Sequence, residues 1–333
     1  MADLVVEVQP REEDSKYIAY HDDRAVAAAK SGNTREETVD TKWGPIVVTI
    51  TGDVLQQPVI ITYHDVGLNH GNCFQSFLNM DDAKRVFGCF AIIHFDAPGH
   101  QIGASALPAN KTLSLPSMAM QVEAVLVHLK VRHVICFGVG AGSTVLCHFA
   151  AMYSHRLLAM ILVGGSISDA SWTEWAYGKY CVGMLKLLGM HWLVEDHLMG
   201  KYFTEGSAEA NKELLEDYSR DLKLIPARNI AAYMQAVLRR EDISAQMRRI
   251  GCDVLQFVTR AGTMSGSGLD IASACDPRSV EAVEVQGGHL LTEQRPGALL
   301  RPIALFLQGI GYNQKQYLDG ENELPHQVWH DEH

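Results

Sequence analysis

The chain has little that would carry it into or through a membrane. Its most apolar run, Leu157 to Val163, is far short of the ~20 residues needed to span a bilayer. The N-terminal MADLVVEVQPREEDS has no basic region ahead of an apolar stretch, so no secretory signal is read there. Positive charge is in deficit. Lys and Arg number 28 against 39 Asp and Glu, a formal net charge of −11, which excludes bulk nucleic-acid binding by a basic face. A disulfide framework is lacking as well. Cys73, Cys89, Cys136, Cys147, Cys181, Cys252 and Cys275 are odd in number and scattered through apolar segments. They read as reduced core thiols of a cytoplasmic protein. Without secretion the sequon Asn110-Lys111-Thr112 carries no weight. Hydrophobic residues make up 47% of 333 positions, ample for one large core or a core with an inserted domain.

The apolar segments are unevenly spread. Residues 1–35 and 313–333 lack a sustained apolar period and are expected to be flexible tails; the second carries one Lys (315) against five carboxylates. Between them, Thr38 to Lys42 and Ile46 to Thr51 flank Trp43-Gly44-Pro45 as a hairpin would. Short solid apolar runs follow at 58–63, 90–95, 134–137 and 158–163. Separated by helical patterns such as 117–129, they imply a mostly parallel sheet covered on both faces. From 171 to 245 the β-type runs stop. Helices are predicted at Trp172 to Leu188, Trp192 to Lys201, Ala208 to Leu224 (with Ser207 as N-cap) and Ala227 to Arg239. The α/β rhythm resumes with strands at 253–259 and 280–285 and a helix at 295–307.

The most informative segment is Val134-Ile-Cys-Phe-Gly-Val-Gly140-Ala-Gly-Ser143. An apolar strand enters a Gly-rich turn that opens a helix, the setting in which α/β-hydrolases place the nucleophile of G-x-S-x-G. Here the nucleophile position is Gly140, which has no oxygen to attack a carbonyl. The expected architecture is therefore the α/β-hydrolase fold, with core segments 36–170 and 246–312 and a helical cap, 171–245, inserted after the sixth strand. Glycine at the elbow would relieve a strain of about 1–3 kcal/mol, and a serine restored there would be expected to fit at that cost.

Ligands of open α/β sheets bind beyond the carboxyl ends of the strands. The loop His64-Asp-Val-Gly-Leu-Asn-His70 is placed to supply an oxyanion-hole amide, and His289, in Gly-Gly-His-Leu-Leu, stands where the triad histidine belongs. The acid is uncertain between Asp169 and Asp270. Candidate pocket residues are His64, Asp65, Asn69, His70, Gly140, Ala141 and His289. Ser143, three residues past the elbow, is read as serving the helix N-terminus rather than as a substitute nucleophile. Gly138-x-Gly140-x-Gly142 lacks the third glycine and the acid of a dinucleotide fingerprint. The group His64, Asp65, His70, His94, Asp96 and His100 has no metal-ligand spacing. Neither a cofactor nor a metal is expected.

Together the segments resemble the N-myc downstream-regulated (NDR) family. They are Gly44-Pro45, Pro58-Val-Ile-Ile-Thr-Tyr-His-Asp-Val-Gly-Leu-Asn-His70, Cys73-Phe74 and Asp96-Ala-Pro-Gly-His100, followed by Gly138-Val-Gly-Ala-Gly142, Ala151-Met-Tyr-Ser-His-Arg156 and Ala170-Ser-Trp-Thr-Glu-Trp175. The likeness covers about residues 36–312. The chain departs from the family in keeping His289, in the loop after Thr259, and in lacking long C-terminal phospho-acceptor repeats. The resemblance implies an α/β-hydrolase-fold protein regarded as non-catalytic, a cytoplasmic adaptor in signalling, growth or stress responses that works through protein partners. Peripheral membrane association and a small-molecule ligand stay open. So do two alternatives: a residual hydrolase using His289, and a small-molecule sensor with its pocket between cap and core.

Overall fold

The computed structural model describes residues 5–8, 34–203, 212–259 and 268–312. Its centre is a nine-stranded sheet in the order β1-β9-β8-β7-β6-β4-β5-β3-β2. The strands are β1 Val5–Val8, β2 Thr34–Val39, β3 Ile46–Thr51, β4 Val59–Tyr63, β5 Ala91–Phe95, β6 Val134–Val139, β7 Leu157–Val163, β8 Asp253–Thr259 and β9 Val280–Val285. Among the described residues only β2–β3 and β3–β5 pair antiparallel; the remaining pairings are parallel. Every residue of β4, β5 and β6 is buried, as parallel strands covered on both faces require. This is the α/β-hydrolase fold.

Two boundaries differ from the sequence reading. Val5–Val8, expected in a flexible tail, pairs with β9 at the sheet edge, where a four-residue run needs no helical or alternating period to add to a ladder. The first strand of the hairpin starts at Thr34, inside the segment read as tail, and ends at Val39; the remainder of 1–33, and 313–333, lie outside the described residues.

Helices cover the sheet. The ones that matter here are α1 Leu115–His128, α2 Ala141–Tyr153, α3 Trp172–Leu188, α4 Trp192–Tyr202, α5 Lys212–Leu224, α6 Ala227–Leu238, α7 Leu269–Ala274 and α8 Pro296–Gly309. Their starts follow local chemistry. Ser114 caps α1 in a reciprocal pair with Ser117, and Ser171 accepts from the Glu174 amide at the start of α3. Helices α3 to α6 form the cap, inserted after the sixth strand counted from Thr34. The predicted N-cap Ser207 lies outside the described residues. Hydroxyl and amide groups of the cap tie it to the core loops. Tyr202 Oη donates to Val66 O, Tyr233 Oη to His64 O at 3.1 Å, and Asn229 Nδ2 to Gly99 O at 2.8 Å.

Candidate functional site

The elbow has the expected backbone. Gly140 sits at φ 55°, ψ −119°, and its N–H donates to Val163 O at 2.8 Å. A Cβ at Gly142 would run into the Tyr63 carbonyl, so this position of the turn has room for glycine alone.

Asp65 decides what the elbow can do. A Cβ at Gly140 would fall closer than 3.0 Å to the Asp65 carboxyl carbon and both its oxygens. The space a nucleophile would use is occupied. Asp65 Oδ1 accepts from Ala141 N at 2.8 Å and Val66 N at 2.8 Å. These are the amide after the nucleophile position and an amide of the loop after β4, the pair that forms an oxyanion hole. Lys201, near the end of α4, puts its Nζ 2.9 Å from each carboxylate oxygen. The protein's own carboxylate thus fills the hole, closed from the cap side by an ammonium. Burial alone would raise the Asp65 carboxyl; the Lys201 ammonium, with His289 and the Ala141 amide, more than offsets it and holds the group well below the usual carboxylate range. The earlier expectation that serine fits at Gly140 for strain alone is therefore wrong: the side chain that excludes it comes from another loop.

His289 is brought to the same place. Its Nδ1 is 3.7 Å from Asp65 Oδ2, too far for a hydrogen bond. Among the described residues neither ring nitrogen has a hydrogen-bond partner. Burial holds its imidazole below the usual range, against the Asp65 carboxylate. The two acids named from sequence are elsewhere employed. Asp270 Oδ2 accepts from Ser166 Oγ, Ile167 N, Ser168 N and Ser168 Oγ, and Asp169 accepts from Asp242 N. Ser143 is fully buried and donates to Val163 O at 3.1 Å; it bonds a strand carbonyl, not a helix amide.

Between cap and core lies a cleft. Gly140, Ala141 and His289 line it, as expected; His64, Asp65, Asn69 and His70 do not. His64 donates from Nδ1 to Asp65 O and accepts at Nε2 from Ala97 N, which fixes one neutral tautomer. His70 pairs with Asp96 at 2.7 Å, and Asn69 exchanges bonds with Asn72. The histidine–aspartate group is thus a set of structural bonds, and no cluster fit to hold a metal occurs among the described residues. Lys201 was not found from sequence. A lysine in the last turn of a helix looks like any solvated one.

A family model described as the Ndr family matches residues 36–314. The chain belongs to the Ndr family. Within it, the chain is 32% identical to an NDRG-like protein of Dictyostelium discoideum, over 84% of this chain and 87% of that one. It is also 32% identical to Protein NDL1 of Arabidopsis thaliana, over 83% and 82%. Among solved structures, an esterase from Thermogutta terrifontis superposes with a TM-score of 0.69 at 17% identity, covering 84% of this chain and 100% of the esterase. That likeness is one of fold: this Ndr chain carries Gly140 with Asp65 against it at the elbow. Among the described residues no helix is long and apolar enough to cross a membrane.

Proposed function

We propose that this chain is a catalytically inactive hydrolase-fold protein that works by binding, as an interaction or adaptor protein in the cytoplasm with roles in signalling, growth or stress responses. The observation that carries the inactivity is the Asp65 carboxylate seated on the Ala141 and Val66 amides. An acyl-transfer site needs a nucleophile and a vacant pair of donors for the developing oxyanion; here a glycine stands for the first and an internal anion takes the second. Membership of the Ndr family supports the adaptor role, as do Trp172, Trp175 and Tyr180 of α3, exposed on the cap, since exposed aromatics are the residues interfaces favour. Free thiols, mostly buried, agree with a reducing compartment. The cap–core cleft favours a second reading, a small-molecule sensor.

The test is hydrolysis of short-chain aryl esters by purified protein. No rate above background is expected. A clear rate that disappears in His289→Ala would overturn inactivity and restore the residual-hydrolase reading.

A further inference from the structure

The charges around the cleft cancel in pairs. Lys201 is committed to Asp65. Arg240 is held at both terminal nitrogens by Glu174, at 2.8 and 2.7 Å. Both amides that could hold an anion already serve Asp65 Oδ1. The hydroxyls are committed too: Thr144 Oγ1 donates to Ser166 O and Ser166 Oγ to Asp270. Tyr177 and His197 meet edge to face, and burial, helped by Lys201, lowers the His197 imidazole to about 4, so it offers no cation. A carboxylate, phosphate or ammonium entering this cleft would lose its hydration without a free counter-charge.

One buried polar side chain in the wall is left over. His289 is 2% exposed and lines the cleft, and neither of its ring nitrogens is bonded among the described residues. A neutral imidazole presents one N–H donor and one bare acceptor, and buried polar groups in native folds are nearly always satisfied. Val66, Leu198, Met234, Val237 and Leu238 line the same cleft. A hydroxyl both donates and accepts, so it suits a ring nitrogen in either neutral tautomer. From these observations we infer that the cap–core cleft binds an uncharged, mainly apolar small molecule carrying a hydroxyl group, which hydrogen-bonds to His289. The inference rests on the non-catalytic binding reading and adds the chemistry of the ligand.

The test uses the full chain and three probes matched in length: 1-hexanol, hexanoate and hexylamine. Ring signals of 15N-labelled histidine are followed by NMR, that of His289 being assigned by its loss in His289→Leu. Hexanol is expected to move the His289 signal and saturate, while hexanoate and hexylamine leave it in place. Hexanol affinity, read from the other cleft signals, should fall about tenfold in His289→Leu, the worth of one hydrogen bond, and persist in His289→Gln, which keeps a donor and an acceptor. Three results would overturn the inference: the charged probes binding as well as hexanol, an affinity unchanged in His289→Leu, or no response to any probe. If His289→Leu fails to fold, the wild-type signal and His289→Gln decide. Hydrolysis of p-nitrophenyl hexanoate abolished in His289→Gln would instead sink the non-catalytic reading, and leave hexanol binding to stand or fall separately.

Discussion

The two halves of the elbow site are built in opposite ways. On the oxyanion side every donor is taken: Ala141 N, Val66 N and Lys201 Nζ all converge on Asp65, which is fully buried. A few ångströms away His289 is just as buried and bonds to nothing among the described residues. The difference teaches that the proposed inactivity rests on filling as well as on deletion. Losing a serine would leave a vacant anion hole. Placing a carboxylate in it creates a buried ion pair between core and cap, and its removal from one side should cost far more than its removal together with its partner.

The largest effect expected therefore comes from breaking that pair. Asp65→Ala leaves the Lys201 ammonium and two amides without their acceptor, and should lower stability by about 3–5 kcal/mol. Replacing His289 with Leu deletes only unpaired polar atoms and should cost less than about 1.5 kcal/mol. Urea unfolding of the two variants measures the contrast. Equal losses would mean that the halves are not different in kind.

Next in size is the return of the nucleophile. Gly140→Ser meets two penalties: about 1–3 kcal/mol for a side chain at positive φ, and displacement of the Asp65 carboxylate from the space the new Cβ needs. With Asp65→Ala already made, only the first penalty remains. The two substitutions should thus be coupled by about 0.5–3 kcal/mol in a double-mutant cycle. Strict additivity would show that the carboxylate and the serine do not compete for one site. No ester turnover is expected from Gly140→Ser alone.

Much of this was legible in the sequence, for reasons of reach. The sheet announces itself in runs such as 58–63 and 134–137, because strands buried on both faces must be apolar throughout. The elbow shows in its glycines, because close backbone approach leaves no choice of residue there. The filling of the site was not legible. Asp65 lies in the expected oxyanion loop, yet nothing local says that its side chain turns to accept from Ala141, 76 positions on. Lys201 comes from 136 positions on. The signal is a three-dimensional convergence of three segments, each ordinary by itself.

The pH dependence separates the halves again, at about 1.4 kcal/mol per pH unit for each group concerned. Burial lowers His289, His64, His94 and His100 from the usual imidazole range, His94 and His100 to about 3. Unfolded, each takes up a proton near pH 6.5. The unfolded state binds more protons below that value, so stability must fall as pH drops from 6.5 toward 4. His70, raised by Asp96 against its own burial, has the opposite sign: its contribution is present at low pH and lost as pH rises through its folded value. Asp65 contributes nothing to the slope in this window. Its folded value is depressed, so its stabilisation is complete above the unfolded carboxylate range near 4 and fades only as pH falls below that. Unfolding free energies at pH 7, 6 and 5.5 should decline, and the decline should be shallower by up to one proton in His289→Leu. An unchanged slope would mean that His289 takes up its proton alike in the folded and unfolded states.

The smallest effects concern the acids that sequence offered as partners for His289. Asp169 is exposed and accepts only from the Asp242 amide at 3.0 Å. Asp169→Asn keeps an acceptor oxygen there and should change stability by no more than about 0.5 kcal/mol. Asp270 is busier, one oxygen taking four donors from residues 166 to 168, so Asp270→Asn should cost more. In both variants, however, the His289 ring signals should stay where they are, because neither carboxylate is among the groups that meet the imidazole. This is the sharper half of the measurement. An orienting acid acts by fixing the ring's tautomer, and neutralising it would shift both nitrogen resonances even where stability hardly moves. If Asp169→Asn or Asp270→Asn displaced them, His289 would have a partner, the histidine half would resemble a working triad, and the contrast with the filled oxyanion half would fail.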